Sequence, residues 1–408
     1  MNRKTAIPCL ALILLRLSSP LLAATDRPLK SFPAADLKEP AAGADLLFVV
    51  SGDNRPTGQG APLPPVLKTI FSEIGLIRPD FVIWSGDTVY GYCDSRDELE
   101  QEYQAFATAA RPLAGAVPLF NAPGNHEIHA KATCTAPADK VCDVSCLEDA
   151  FRNRFGQLYG SVDIGGAHFI ALDTDVPGGE DAITGDQLTW LKNDLEANKT
   201  ARAIFVFTHT EFYSAPRIDP SAATSHPAVA NRCELQDLFR RYPVKAVFSG
   251  HEHIYYRAPA EEHDGIEYFV AGGAGAPLYA PPDRGGFSHY LVVRLSGSKV
   301  TYDVVEPGRL SLEDAPAEAG AVKFWVVNSN DIDQPLPLRG IDRDIPSSLG
   351  SCDSLAVTAA AKKRDAWVAV DGVSIDSCVP AGGALRLHFK VPPMPQGSVL
   401  VTVRRKGM

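Results

Sequence analysis

The chain is predicted to be an α/β protein that ends in a small β-rich module, and two features of the sequence predict this. Short, continuously apolar runs recur along the first three quarters of the chain; most break off at a polar, glycine-bearing loop and lead into a segment of helical spacing. Beyond about residue 308 the alternation stops, and proline-rich sequence with short β-rich runs takes over, as at 324–327 and 385–389.

Taken in order, residues 46–50 form a buried strand that delivers Asp53 to a loop carrying Asn54, Arg55 and Pro56. Val66, Leu67, Ile70, Phe71 and Ile74 share one face of a helix over 64–77. A second strand, 81–84, runs into Gly86, Asp87 and Tyr90; a helix follows at 97–110. The third strand, 117–120, leads to Gly124, Asn125, His126 and Glu127. Residues 128–147 are polar, cysteine-bearing and without periodicity, which reads as an insertion before a helix at 148–155. Gly165 and Gly166 close a hairpin of 159–164 with 167–172. Leu188, Leu191 and Leu195 mark a helix over 184–198 with Thr184 as its N-cap. The strand 203–207 ends at Thr208 and His209, and a helix at 231–241 feeds the strand that stops at Gly250, His251, Glu252 and His253. Strands at 268–271, 289–295 and 300–305 complete the set. The expected division is a leader at 1–24, a linker at 25–44, a catalytic domain at 45–310 and the C-terminal module at 318–408.

Composition bounds the partners. Asn2, Arg3 and Lys4 precede an apolar run over 6–17 and small residues at Ala23 and Ala24, the layout of a cleaved export signal. An uncleaved anchor is the competing reading, although the run is shorter than the roughly 20 apolar residues of a membrane span. Loss of Arg3, Lys4 and Arg16 with the leader would take the formal charge from −10 to −13, which argues against nucleic acid as a partner. A periplasmic or secreted protein with no membrane span in its mature form is expected. Seven cysteines then remain, Cys93, Cys134, Cys142, Cys146, Cys233, Cys352 and Cys378, and in that compartment they read as disulfides. At least one short loop among 134, 142 and 146 is expected to be stapled, Cys352 and Cys378 are the candidates of the C-terminal part, and an odd count leaves one thiol over.

Five polar clusters sit at the carboxyl ends of predicted strands, where open α/β sheets bind ligands: Asp53; Asp87 with Tyr90; Asn125 with His126; His209; and His251 with His253. Oxygen and imidazole donors without a thiolate suit iron, manganese or zinc. Gly52-Asp53, Gly86-Asp87-Thr88-Val89-Tyr90, Gly124-Asn125-His126-Glu127, Val206-Phe207-Thr208-His209 and Gly250-His251-Glu252-His253 resemble the calcineurin-like metallophosphoesterases, and within them the purple acid phosphatases. The resemblance runs from about 46 to 306, with fainter echoes at Tyr213-Ser214 and Ile254-Tyr255-Tyr256-Arg257.

That resemblance implies an α/β/β/α sandwich of two mixed sheets flanked by helices. It also implies two metals, ferric iron with ferrous iron, zinc or manganese: one held by Asp53, Asp87, Tyr90 and His253, the other by Asp87, Asn125, His209 and His251, with Asp87 bridging. Arg55 stands where many relatives have a ligand histidine, a departure that favours Tyr90 as the replacement ligand; packing beneath the loop is its other reading. Paired cations clamp a phosphoryl group and take the pKa of a bound water from about 15.7 to about 7, so attack by a metal-bound hydroxide is the implied mechanism. His126 is expected to contact phosphate with Asn125 and to protonate the leaving oxygen, or else to be structural. Glu127 is expected to orient a ligand or His126. Arg55 either binds phosphate or pairs with a surface acid. His129, His226 and His289 read as solvated loop residues before pocket-lining ones. The expected activity is phosphomonoester hydrolysis on a small-molecule or protein-borne substrate, with a phosphodiesterase or a non-catalytic binding protein as alternatives.

Overall fold

The computed structural model describes residues 27–32, 40–92, 95–129, 142–215, 228–363 and 366–407. Two mixed sheets lie face to face. The first joins β1 (Leu46–Ser51), β2 (Phe81–Trp84) and β3 (Leu119–Asn121) in parallel, then adds two strands from much later, β10 (Tyr290–Ser296) and β11 (Lys299–Val305), antiparallel at its other edge in the order β11-β10-β1-β2-β3. The second runs β4-β5-β6-β7-β9-β8, with β5 (Ala167–Ala171), β6 (Ile204–Phe207), β7 (Val244–Ser249) and β9 (Glu267–Ala271) parallel, and with β4 (Gly160–Ile164) and β8 (Tyr255–Ala258) antiparallel at its edges.

Alternation along the strands makes the layers. On β1, Phe48 and Val50 enter the inter-sheet core while Leu47 and Val49 face the helices. Phe48 stacks on Phe81 at 5.0 Å between centroids and meets Phe169 and Phe205 edge-on at 5.4 and 5.2 Å. Each such ring contributes about 1.5–3 kcal/mol by leaving water, so this phenylalanine layer clamps the sheets and fixes where their strand ends fall. One outer face is covered by α1 (Pro65–Ile77), α2 (Arg96–Ala109) and α4 (Val144–Phe155), the other by α5 (Gly185–Ala197) and α6 (Arg232–Phe239); a single helical turn, α3 (Asn125–Ile128), follows β3. The expected α/β/β/α sandwich is the observed one.

The C-terminal strands form a five-stranded sheet, β12-β13-β19-β15-β16, and a three-stranded one, β14-β18-β17. These are β12 (Leu310–Asp314), β13 (Ala321–Asn328), β14 (Ile341–Pro346), β15 (Leu355–Lys363), β16 (Ala366–Ala369), β17 (Ser374–Ala381), β18 (Ala384–Lys390) and β19 (Gly397–Arg405). Their core is continuous with the α1 layer. The amides of Arg339 and Gly340 donate to the carbonyls of Ile77 and Leu76, satisfying helix-end acceptors that would otherwise lack a partner. Buried Glu73 accepts from the amides of Gly308 and Leu310 and from the Tyr290 hydroxyl.

Several expectations need correction. Helix α4 starts at Val144, four residues before the expected 148, because the Asp143 side chain caps it by accepting from the Cys146 amide, inside a segment that looked like loop. Thr184 holds the N-cap position of α5 without a capping side-chain hydrogen bond. Strands β8 and β12 were not expected. Residues 27–32 lie against the domain: Arg27 sits over the Tyr159 ring and Phe32 packs on Phe106 and Phe155. Disulfides join Cys142 to Cys146 and Cys352 to Cys378, and Cys233 is a free thiol. The expected leader, Cys93, Cys134 and His226 lie outside the described residues. No helix among the described residues is long and apolar enough to cross a membrane.

Candidate metal centre

The loops that leave β1, β2, β3, β6 and β7 meet at one edge of the two sheets. Asp53, Asp87 and His251 all have positive φ, at 62°, 53° and 68°, as does Tyr92 at 61°. Each directly follows a glycine, and left-handed backbone at a non-glycine residue is a strained arrangement that concentrates at functional sites. Glycine is needed beside them for a second reason. A Cβ on Gly250 would lie 2.1 Å from Oδ2 of Asp53, and one on Gly124 would lie 2.5 Å from Oδ1 of Asp87.

The side chains present acceptors to one another. His209 places Nδ1 2.7 Å from the Ser85 carbonyl, so its proton is there and the Nε2 lone pair faces inward. That lone pair is 3.3 Å from Asp87 Oδ1, 3.0 Å from Asn125 Oδ1 and 3.0 Å from His251 Nδ1. Asn125 turns its amide nitrogen to the Tyr92 hydroxyl at 2.6 Å, which leaves its oxygen toward His209. His253 repeats the pattern, with Nδ1 2.6 Å from the Pro277 carbonyl and Nε2 3.6 Å from Asp53 Oδ1. Oδ2 of Asp53 is buried without a hydrogen-bond partner. Ligand atoms of Asp53, Asp87 and His209 all lie within 4.8 Å of one another. Converging lone pairs in a buried site repel, and a cation is what such a donor set fits.

Ionisation follows burial. Burial and the neighbouring Asp87 charge hold the Asp53 carboxyl well above the usual range. Burial takes Asp87 up to about 7, against the opposing pull of Arg55 and the His126 amide. His209 is brought down to about 4 by burial, so it is a neutral ligand at ordinary pH. Glu127 rises to about 7 through burial and the Asp87 charge. It accepts from the amides of Gly124 and Asp87 at 2.9 Å and from the amide and hydroxyl of Thr88 at 2.5 Å, so it holds the Asp87 loop.

A cleft of about 460 Å³ opens over this cluster and is lined by Arg55, Tyr90, His126, His251 and His253 among others. His126 Nδ1 is 2.5 Å from the Tyr90 carbonyl, and its Nε2 is 3.9 Å from Asp87 Oδ2. Among the described residues, no surface acid is paired with Arg55. Its Nε stands 3.4 Å from Oδ2 of the buried Asp87. His289 is neither solvated nor in the cleft; it is fully buried and bonded to the Phe287 carbonyl. His129 reaches the Asp175 carbonyl at 3.0 Å, beside the cleft but not lining it.

Three residues escaped the sequence reading. Tyr92 orients Asn125, Glu102 of α2 accepts from the Tyr90 and Gly91 amides, and Tyr279 stacks on His253 at 4.2 Å. The signals for them were Gly91, and the glycine-rich run at 272–275 that ends β9.

Sheet pair, strand-end loops and a buried carboxylate among imidazoles define a metal-centre protein of the phosphoesterase class. The model of the calcineurin-like phosphoesterases matches residues 46–255, and the chain belongs to that family. It is similar to purple acid phosphatase 23 of Arabidopsis thaliana, 30% identical over 165 residues, covering 40% of this chain and 34% of that one. It is also similar to the serine/threonine-protein phosphatase CPPED1 of Danio rerio, 27% identical over 208 residues, covering 49% and 62%. The matched stretch thus spans less than two thirds of either relative. A purple acid phosphatase from yellow lupin seeds superposes with a TM-score of 0.52 at 19% identity, covering 66% of this chain and 53% of that one, and shares the fold.

Proposed function

We propose that the protein is an exported phosphohydrolase that cleaves phosphomonoesters at a two-metal centre. The observation that carries this is Asp87: one buried carboxylate with Oδ1 turned to His209 and Oδ2 turned to Arg55 and His126, at the floor of an open cleft. Asp53, Asp87, Tyr90 and His253 would hold one cation, and Asp87, Asn125, His209 and His251 the other. Ferric iron paired with ferrous iron, zinc or manganese agrees with donors that are all oxygen or imidazole. Bound there, the cations would neutralise the phosphoryl oxygens and acidify the attacking water.

The chain's own groups supply the rest. Arg55 offers its guanidinium to a phosphate oxygen once a cation takes over Asp87. As the water oxygen bonds to phosphorus and the ester P–O bond breaks, His126 gives a proton to the leaving oxygen. Since Nδ1 is committed to the Tyr90 carbonyl, the donor is Nε2, and the acting form is the imidazolium. Burial and the Arg55 charge hold the pKa of His126 well below its usual value, and the negative charge of a bound phosphate works against that. Two disulfides agree with an oxidising compartment.

The test is kinetics of the full metal-loaded chain on a panel of phosphomonoesters and phosphodiesters. Monoesters are expected to turn over faster than diesters. A reversed preference would overturn the monoester assignment, and turnover of neither would overturn the enzymatic reading.

A further inference from the structure

We infer that the cleft selects phosphoesters with a planar aromatic leaving group, held against Tyr279 and Tyr92; this rests on the phosphohydrolase reading above. The cleft falls within the range of about 300–1,000 Å³ typical of ligand sites. Its floor is the metal-facing cluster. Beyond that floor, to which the proposed ligand Tyr90 belongs, the described lining is Arg55, Thr57 and two aromatic rings, Tyr92 and Tyr279.

Tyr279 is both exposed and held. It retains 48% of its surface in solvent beside Leu278 at 41%, so consecutive apolar side chains stand open where Tyr279 lines the cleft. A lone exposed apolar residue would be unremarkable, but this pair flanks a site. Its amide donates to the His253 carbonyl, its ring lies nearly parallel to the His253 imidazole at 27°, and its hydroxyl bonds the Arg55 side chain. The ring is therefore fixed before any ligand arrives, which limits the entropy lost on binding.

Tyr92 supplies the second wall, from the loops of the other sheet. Its centroid is 4.3 Å from that of His126, the group assigned to protonate the leaving oxygen, so a leaving group beside His126 is also beside Tyr92. Apart from the floor, the charged side chain lining the cleft is Arg55, which faces Asp87. Among the described residues, nothing in the lining is arranged to recognise a charged leaving group. Offset or edge-on aromatic contact is what remains.

The experiment compares kcat/KM for phenyl phosphate, adenosine 5′-monophosphate and butyl phosphate in the metal-loaded chain and in Tyr279→Leu and Tyr279→Phe. Calorimetric binding of phenylphosphonate and butylphosphonate is measured alongside. In Tyr279→Leu the ratio of aromatic to butyl ester is expected to fall roughly threefold to tenfold, the range of one aromatic contact, and phenylphosphonate binding to weaken by a similar factor. Tyr279→Phe is expected to retain both preferences, because the ring remains when the hydroxyl to Arg55 is lost. Dependence on Tyr279 for the phenyl ester alone assigns a simple aryl group; dependence for the nucleotide assigns a base. An unchanged ratio and unchanged phosphonate preference in Tyr279→Leu would overturn the inference, even with full phosphatase activity. If no ester were turned over, the phosphonate arm would still decide it.

Discussion

Nε2 of His209 stands 3.3 Å from Oδ1 of Asp87, with the imidazole proton already committed on the other side of the ring to the Ser85 carbonyl. Two acceptors at that separation in a fully buried site cost free energy until something positive lies between or beside them. Chelation is therefore expected to lower the melting temperature, and restored zinc, manganese or iron to raise it. A ligand present at 100 times its dissociation constant adds about 2.7 kcal/mol. His209→Ala should abolish most of that increment. Scanning calorimetry with and without chelator checks it, and identical curves would remove the metal assignment.

His126→Ala is expected to keep both metals and lose turnover by about 10² to 10⁴, the usual worth of a positioned acid. The loss should shrink for esters of acidic alcohols such as nitrophenol, whose oxygen departs without a proton. Metal content by elemental analysis, measured beside a leaving-group series, separates the roles. A parallel fall in metal content and activity would make His126 structural.

The sandwich was legible because most of its strands are continuous apolar runs, and the centre because four of the five runs that reach it lead to a glycine followed by a donor, β6 alone ending at Thr208 and His209. Asp53, Asp87 and His251 each follow a glycine and each carry positive φ, so the motif marks backbone geometry as well as chemistry. What stayed hidden is relational. Nothing local says that Arg55 meets Asp87, that Glu127 reaches back to the Thr88 amide, or that Tyr279 falls on His253; these depend on which loops the sheet order brings together. Helix α4 was misjudged for a local reason, since Asp143 and the Cys142–Cys146 staple resemble a loop in sequence.

Tyr90 and Tyr92 are two residues apart and line the same cleft, yet only Tyr90 is proposed as a ligand. The Tyr92 hydroxyl is occupied by Asn125, and burial, together with the Asp87 charge, pushes its ionisation well up. Iron-bearing protein purified without chelator is expected to show a tyrosinate charge-transfer band in the visible, lost in Tyr90→Phe and kept in Tyr92→Phe. Colour surviving in Tyr90→Phe would reassign the ligand. Colourless, iron-free wild type that is fully active with divalent metals would remove ferric iron.

Away from the centre, buried His168 on β5 donates from both ring nitrogens, Nδ1 to Asp163 at 2.7 Å and Nε2 to Asp194 at 2.8 Å. Only the imidazolium can do both. Burial alone would lower its pKa, but the two carboxylates prevail and raise it to about 9. Because the folded value lies above the unfolded one of about 6.5, the stabilisation is fully present below pH 6.5 and is lost as pH rises through 9. It amounts to at most about 3 kcal/mol, because each tenfold gain in proton affinity on folding is worth about 1.36 kcal/mol. The test is urea unfolding of wild type and His168→Gln at pH 7 and pH 9.5, both in chelator so that the metal centre contributes equally. The wild type should lead clearly at pH 7, and the gap should narrow at pH 9.5 as the wild-type imidazolium deprotonates. A gap of the same size at both values would mean that His168 stabilises β5 against α5 by packing, with no charge involved.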